Sequence, residues 1–171
     1  AYRRWPSKSN RFQAFHDVLF HYTPDGGTFN VLRDNPTEST VKTWGTKKQK
    51  AKFVDGNRVA SESTEEDSQG PAMGDVWNIS VIAPVSNERN RGGKFPTQKP
   101  QSLLERAILS ASNPGDVLLD PGAGSGTSLA VAREFGRGWI GIDRSDTAIA
   151  VCEKRLRVVA SSTHGTSKAR I

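Results

Sequence analysis

A single cysteine, Cys152, stands among 171 residues, so an intramolecular disulfide is excluded and a reducing, cytoplasmic setting is expected. The histidines, at 16, 21 and 164, are too scattered to form a metal site. No apolar run approaches the roughly 20 residues of a membrane helix, and no secretory leader is visible. Apolar residues are scarce: they make up 35% of the chain, and the mean hydropathy is -0.57. The deficit lies between Asp34 and Gly70, so a core is expected in the second half of the chain rather than the middle. Acids are outnumbered, giving a net charge of +6 and a pI of about 9.7. That balance suits a polyanionic partner, although solvated lysine faces would produce it equally well. One domain is the natural count for this length.

The most informative stretch is Val117-Leu-Leu-Asp-Pro-Gly-Ala-Gly-Ser-Gly-Thr127. A short apolar run, as expected of a buried parallel strand, ends in an acid and a proline. It then breaks into glycines at alternate positions before a helix begins. Glycine permits a tight turn and close approach of backbone to ligand. The first turn of a helix presents unpaired amide hydrogens that favour an anionic group. A strand, loop and helix in this order predict a cofactor site.

Three ligands compete for it. A nucleoside triphosphate loop needs GxxxxGK[ST], but Thr127 follows Gly126 directly and no lysine is available. A dinucleotide fingerprint needs G-x-G-x-x-G, which Gly122, Gly124 and Gly126 fit weakly. S-adenosylmethionine carries a carboxylate, an ammonium, a ribose diol and an adenine. The amides from Gly122 to Thr127 would take its methionine end, with Ser125 among them, and Asp120-Pro121 the ammonium side. The next strand, Gly138-Trp-Ile-Gly-Ile-Asp143, ends in an acid placed to accept both ribose hydroxyls. Asp143 lies about 20 residues after the first glycine, the spacing of ribose-binding acids in nucleotide folds. Its bland alternative is a helix-capping acid.

These residues carry a family resemblance. Asp120-Pro-Gly-Ala-Gly-Ser-Gly-Thr127 resembles the cofactor motif of amino-directed DNA methyltransferases, which modify cytosine N4 or adenine N6. Lys94-Phe-Pro-Thr-Gln-Lys-Pro-Gln-Ser-Leu-Leu-Glu-Arg106 resembles the segment preceding that motif in the circularly ordered, beta-type members. There the helix after the Lys99-Pro100 pair closes one side of the cofactor pocket. His16 to Thr23 and Thr28 to Asn30 resemble the end of the family's catalytic half. The resemblance implies a Rossmann-like α/β fold, S-adenosyl-L-methionine as cofactor, DNA as partner and a prokaryotic or phage restriction-modification setting. The position after Pro121 is often aromatic in the family and is glycine here, which loosens the expected pocket.

The larger departure concerns catalysis. The family's tetrapeptide is Asp/Asn/Ser-Pro-Pro-aromatic, and none of the nine prolines here is adjacent to another. No catalytic residue is therefore assigned. The chain is expected to be the C-terminal part of a longer protein, or else a separate subunit completed by a second chain or by self-dimerisation. A nicotinamide-dependent oxidoreductase is a lower third reading.

Along the chain, residues 1–33 are expected to form the end of the catalytic half. They comprise a basic start, a strand over Phe12 to Tyr22, a turn at Pro24-Asp-Gly-Gly27 and a return through Thr28 to Leu32. Residues 34–93 form a polar insertion without clear period, the expected target-recognition region. Its basic block supplies candidate DNA contacts in Lys42, Trp44, Lys47, Lys48, Lys50 and Lys52, since lysines meet phosphates and aromatics stack on bases. A short extended segment around Val76-Trp77 and a flexible basic loop over Ser86 to Gly93 follow.

Residues 94–160 form the cofactor segment. A helix from Pro100 carries Leu103, Leu104, Ala107, Ile108 and Ala111 at helical spacing and is stopped by Asn113-Pro-Gly115. Strand Asp116 to Leu119, helix Ser128 to Phe135, strand Trp139 to Asp143 and helix Asp146 to Val159 predict parallel pairing. Cys152 lies on the apolar stripe of the last helix and reads as packing. Residues 161–171 are expected to be a disordered tail.

Overall fold

The structure, a computed structural model, describes residues 16–83, 86–90, 95 and 97–162. It divides into a unit of Val31–Gly74 and a unit formed by the rest of the chain. The expected strand over Phe12 to Tyr22 begins among residues outside the described ones, as do Lys94, Pro96 and the tail from 163 onward.

In the smaller unit, α1 (Glu38–Trp44) starts at Thr37, whose side chain accepts from the Thr40 amide at 3.2 Å. That contact satisfies one orphan donor of the first turn. Gly45, with φ 67°, ends the helix. Strands β1 (Lys47–Val54) and β2 (Asn57–Asp67) then pair antiparallel. The hairpin turns at Asp55-Gly56, where both residues have positive φ, as a two-residue turn matched to strand twist requires. The polar insertion is therefore structured, contrary to the expectation of no period. Its strands are polar because both faces meet solvent, and two bulges blur the alternation.

In the larger unit, residues 16–30 form no strand, again contrary to expectation. Phe20 and Tyr22 are exposed and no described strand lies alongside to complete a ladder. The expected turn is present, with the Gly27 amide donating to the Pro24 carbonyl at 3.0 Å. No strand forms around Val76-Trp77 either; the Trp77 ring instead lies under the Arg106 guanidinium, 5.7 Å from its centroid. Within the expected basic loop, Asn87–Asn90 is a short helix, α2.

The remaining elements follow the predicted order: α3 (Gln101–Ala111), β3 (Val117–Asp120), α4 (Thr127–Glu134), β4 (Gly138–Gly141) and α5 (Asp146–Ser162). The last helix runs three residues beyond its expected end. β3 and β4 pair in parallel, Leu119 opposite Ile140, giving an α/β arrangement of Rossmann-like order. The core joins Ala123, Leu129, Ala130, Cys152 and Leu156, with Leu118 against them. Gly141 lets α4 approach β4, because a Cβ there would meet Leu129.

The carbonyls at the end of α3 find remote partners, as a buried helix end demands. The Asn30 side-chain amide donates to the carbonyls of Leu109 and Ser112, both at 2.9 Å. The buried Arg137 guanidinium donates to the Ser112 carbonyl at 2.7 Å. The opposite face of the parallel pair is bare among the described residues. Val117, Leu119, Ile140 and Ile142 are 64%, 59%, 53% and 54% exposed.

Candidate cofactor site

The site is built where β3 and β4 end side by side. Beyond β3, Asp120 turns back on the loop: one carboxylate oxygen accepts from the Gly122 amide at 3.0 Å and the other from the Ser128 hydroxyl. Asp120 thus organises the loop, and each oxygen keeps a second lone pair for a ligand. Ser128, in the first turn of α4, serves to hold Asp120.

Asp143 faces the loop. It accepts from the Gly124 amide at 2.8 Å through one oxygen and from the Ser145 amide at 2.9 Å through the other. These two backbone donors, Ser145 first and Gly124 second, hold its carboxyl below the usual carboxylate range. The two strand tips are therefore joined directly, with an ionised carboxylate between them.

The glycines divide by function. Gly126 caps α4 with φ 70° and ψ 26°, and a Cβ there would collide with the Cys152 side chain on α5. Gly124, φ 51°, lies under the Phe95 ring, whose Cε1 would stand 3.3 Å from an added Cβ. Only Gly122 looks into open space, with nothing within 4 Å and no positive φ. Packing explains two of the three glycines, and ligand approach is left to the first.

The hydroxyls of Ser125 and Thr127 are buried and share a hydrogen bond at 3.1 Å. Among the described residues, the amide hydrogens of Ser125, Thr127 and Ser128 have no hydrogen-bond partner. Pro121 is exposed at the start of the loop. Pro100, buried, stands at the start of α3, and Lys99 just before it is exposed. α3 is tied to α4 by the Gln101 amide, which donates to the Glu134 carboxylate at 3.0 Å.

Sequence reasoning missed Phe95, although it lies inside the segment that carried the resemblance. It also missed the buried Arg155, whose guanidinium donates to the Ser125 carbonyl at 2.7 Å. Burial of Cys152 raises its thiol pKa above the ordinary value, which fits packing and not nucleophilic chemistry.

The N6/N4 methyltransferase family model, described as DNA methylase, matches residues 2–154. The chain belongs to the amino-directed DNA methylase family. It is 36% identical over 150 residues to the type II methyltransferase M.HinfI of Haemophilus influenzae, across 86% of this chain and 40% of that protein. To the type II methyltransferase M2.DpnII of Streptococcus pneumoniae it is 45% identical over 92 residues, across 54% of this chain and 33% of the other. The chain therefore spans well under half the length of these relatives. Among solved structures, the M1.HpyAVI–SAM complex matches at 38% identity over 37% of this chain and 33% of that one, with a TM-score of 0.36.

The DNA-contact candidates lie in the smaller unit, far from uniform in surroundings. Lys42 and Trp44 are exposed on and at the end of α1. On the hairpin, Lys47 pairs with Asp67 and Lys48 with Glu66, each at 2.9 Å, and Lys52 pairs with Glu62. Lys50 makes no ion pair among the described residues. Acidic and basic residues are equal in number over Val31–Gly74, so the chain's positive excess resides in the larger unit. No helix among the described residues is long and apolar enough to cross a membrane.

Proposed function

We propose that this chain is the S-adenosylmethionine-binding part of an enzyme that methylates an exocyclic amino nitrogen of DNA, cytosine N4 or adenine N6, and that it shares in DNA recognition. The observation that carries the reading is the Gly124–Asp143 hydrogen bond, which holds the glycine loop against the acid that follows the neighbouring strand. The donor set fits the ligand. Three unpaired amides at the start of α4 suit the methionine carboxylate. The free lone pairs of Asp143 suit a ribose diol, and Gly122 leaves room for close approach.

When bound, S-adenosylmethionine supplies an electrophilic methyl group on a sulfonium. The chain's own residues bind and orient: the loop amides hold one end, Asp143 the sugar, and α3, fixed to α4 through Gln101, the flank. Orientation matters because the target nitrogen is a poor nucleophile, its lone pair being conjugated with the ring. The base must leave the helix to be reached. Family resemblance gives the acceptors for its amino group to the Pro-Pro tetrapeptide, for which this sequence has no candidate, so catalysis requires residues from elsewhere. For DNA, Lys42, Trp44 and Lys50 are directly available. Lys47, Lys48 and Lys52 reach phosphate only by exchanging their carboxylate partners.

Isothermal titration of this chain with S-adenosylmethionine and with a nicotinamide dinucleotide tests the reading. Binding of the first, lost on Asp143→Ala, supports it; an affinity untouched by Asp143→Ala removes the acid from the site.

A second reading, a subunit completed by another chain or a second copy, is favoured by the bare face of Val117, Leu119, Ile140 and Ile142. Such an apolar patch marks a covered surface. Sedimentation of the wild type against Leu119→Glu separates self-association from a lone monomer.

A further inference from the structure

We propose that Arg155 is a positioning residue that locks the glycine loop to the Gln98–Pro100 segment, setting the two walls of the cofactor crevice. The proposal deepens the reading above and rests on it for the identity of the ligand, though not for the lock itself. Arg155, on α5, is 2% exposed. A guanidinium so removed from water persists only with its donors satisfied. Its Nε donates to the Ser125 carbonyl at 2.7 Å and its Nη2 to the Gln98 side-chain oxygen at 2.7 Å. These acceptors belong to different segments, and the diverging donors of a planar fork reach both, as a lysine ammonium on a single stem does not.

Each acceptor passes the constraint on. The Ser125 carbonyl and the Gly126 amide share one peptide plane, and that amide donates to the Ala123 carbonyl at 2.7 Å. Both ends of the plane are therefore pinned and it cannot flip, which fixes the directions of the unpaired Ser125 and Thr127 amides on either side. In the other direction, the Gln98 amide donates to the Glu88 carbonyl at 3.2 Å. The Glu88 carboxylate accepts from the Gln101 backbone amide, the first residue of α3, at 2.7 Å. One side chain thus couples the α4 start to the α3 start, and Lys99-Pro100 lies between.

The test uses Arg155→Lys, Gln98→Met and the double variant, read first without ligand by amide hydrogen exchange. Arg155→Lys is expected to speed exchange at the Gly126 amide, which donates to the Ala123 carbonyl, by about tenfold or more, the worth of one lost charged hydrogen bond, while the α5 amides stay protected. Gln98→Met, which removes the acceptor of Arg155 together with the donor to the Glu88 carbonyl and serves if Arg155→Lys does not fold, is expected to speed exchange at the Gln101 backbone amide. The double variant is expected to fall short of the summed effects, because both changes break one linkage.

S-adenosylmethionine affinity should fall by about tenfold in Arg155→Lys at unchanged far-ultraviolet circular dichroism. Exchange that rises only in step with global unfolding, or strictly additive effects, overturns the proposal. A wild type that binds no S-adenosylmethionine, yet shows the localised exchange change, upholds the lock and defeats the ligand reading.

Discussion

Replacing Gly126 by alanine should separate packing from ligand binding more sharply than any other single change. At φ 70° and ψ 26° the residue sits in the left-handed region, which costs a side-chain-bearing residue about 1–2 kcal/mol. The new methyl would also strike the Cys152 thiol, and it would stand 3.1 Å from the Cys152 Cβ and 3.2 Å from its Cα. Sulfur can swing aside, but the Cα belongs to helix α5, so the helix must shift. Forced overpacking of this kind costs about 1–3 kcal/mol. The two effects together predict a loss of about 2–5 kcal/mol, a large fraction of a domain's usual stability.

Urea unfolding at constant m-value is the assay. Adding Cys152→Ala should restore only part of the loss, since the new methyl still presses on the β-carbon and backbone of α5 once the sulfur is gone. Gly122→Ala is the control: nothing lies within 4 Å of its added Cβ, so its stability should stay within about 0.5 kcal/mol of wild type. Its S-adenosylmethionine affinity should nevertheless drop, because the methyl would occupy space left for the ligand. A Gly126→Ala protein as stable as wild type, or a Gly122→Ala protein equally damaged, would refute the division of labour among the glycines.

Three further outcomes follow from the same geometry. Because the Asp143 carboxyl is held below its ordinary value in the folded chain, its stabilising share is complete above the unfolded value of about 4 and lost as pH falls through the folded one. Asp143→Asn should flatten stability against pH in that acid window alone, and an unchanged profile would mean the loop contact does not depend on the charge. Neutralising Lys50 should lower the salt slope of DNA binding by close to one, as for one phosphate contact, whereas Lys48→Ala should lower it less because Glu66 already pairs with that ammonium. Equal slopes would show that the ion pairs yield freely to phosphate. Cys152, buried with a raised thiol pKa, should resist thiol reagents in the native state and react once urea unfolds the chain. Fast native labelling would place it at the surface.

The sequence by itself determined what depends on neighbours along the chain. The apolar run at Val117, the glycines after Asp120 and the helical spacing from Leu103 to Ala111 act within a few residues of themselves, so strand, loop and helix were legible with boundaries nearly right. The acid at Asp143 was legible through spacing, because a strand–helix–strand unit has a narrow range of lengths. The Asp55-Gly56 hairpin was also written locally and could have been found, but polar strands with bulges obscure the alternation that usually announces them. Over His16 to Tyr22, the described part of the expected first strand, no strand forms, because β-propensity states a capacity to pair and cannot supply the partner.

Only the tertiary structure decided which groups meet across long separations. Gly126 is needed because Cys152 crosses it. The Ser125 carbonyl is held because Arg155 reaches under it. The lysines of β1 are tempered by the acids of β2 because antiparallel register brings them together. Such meetings are fixed by packing of whole elements, where a shift of one turn or one residue would change every pair, and no local pattern encodes them.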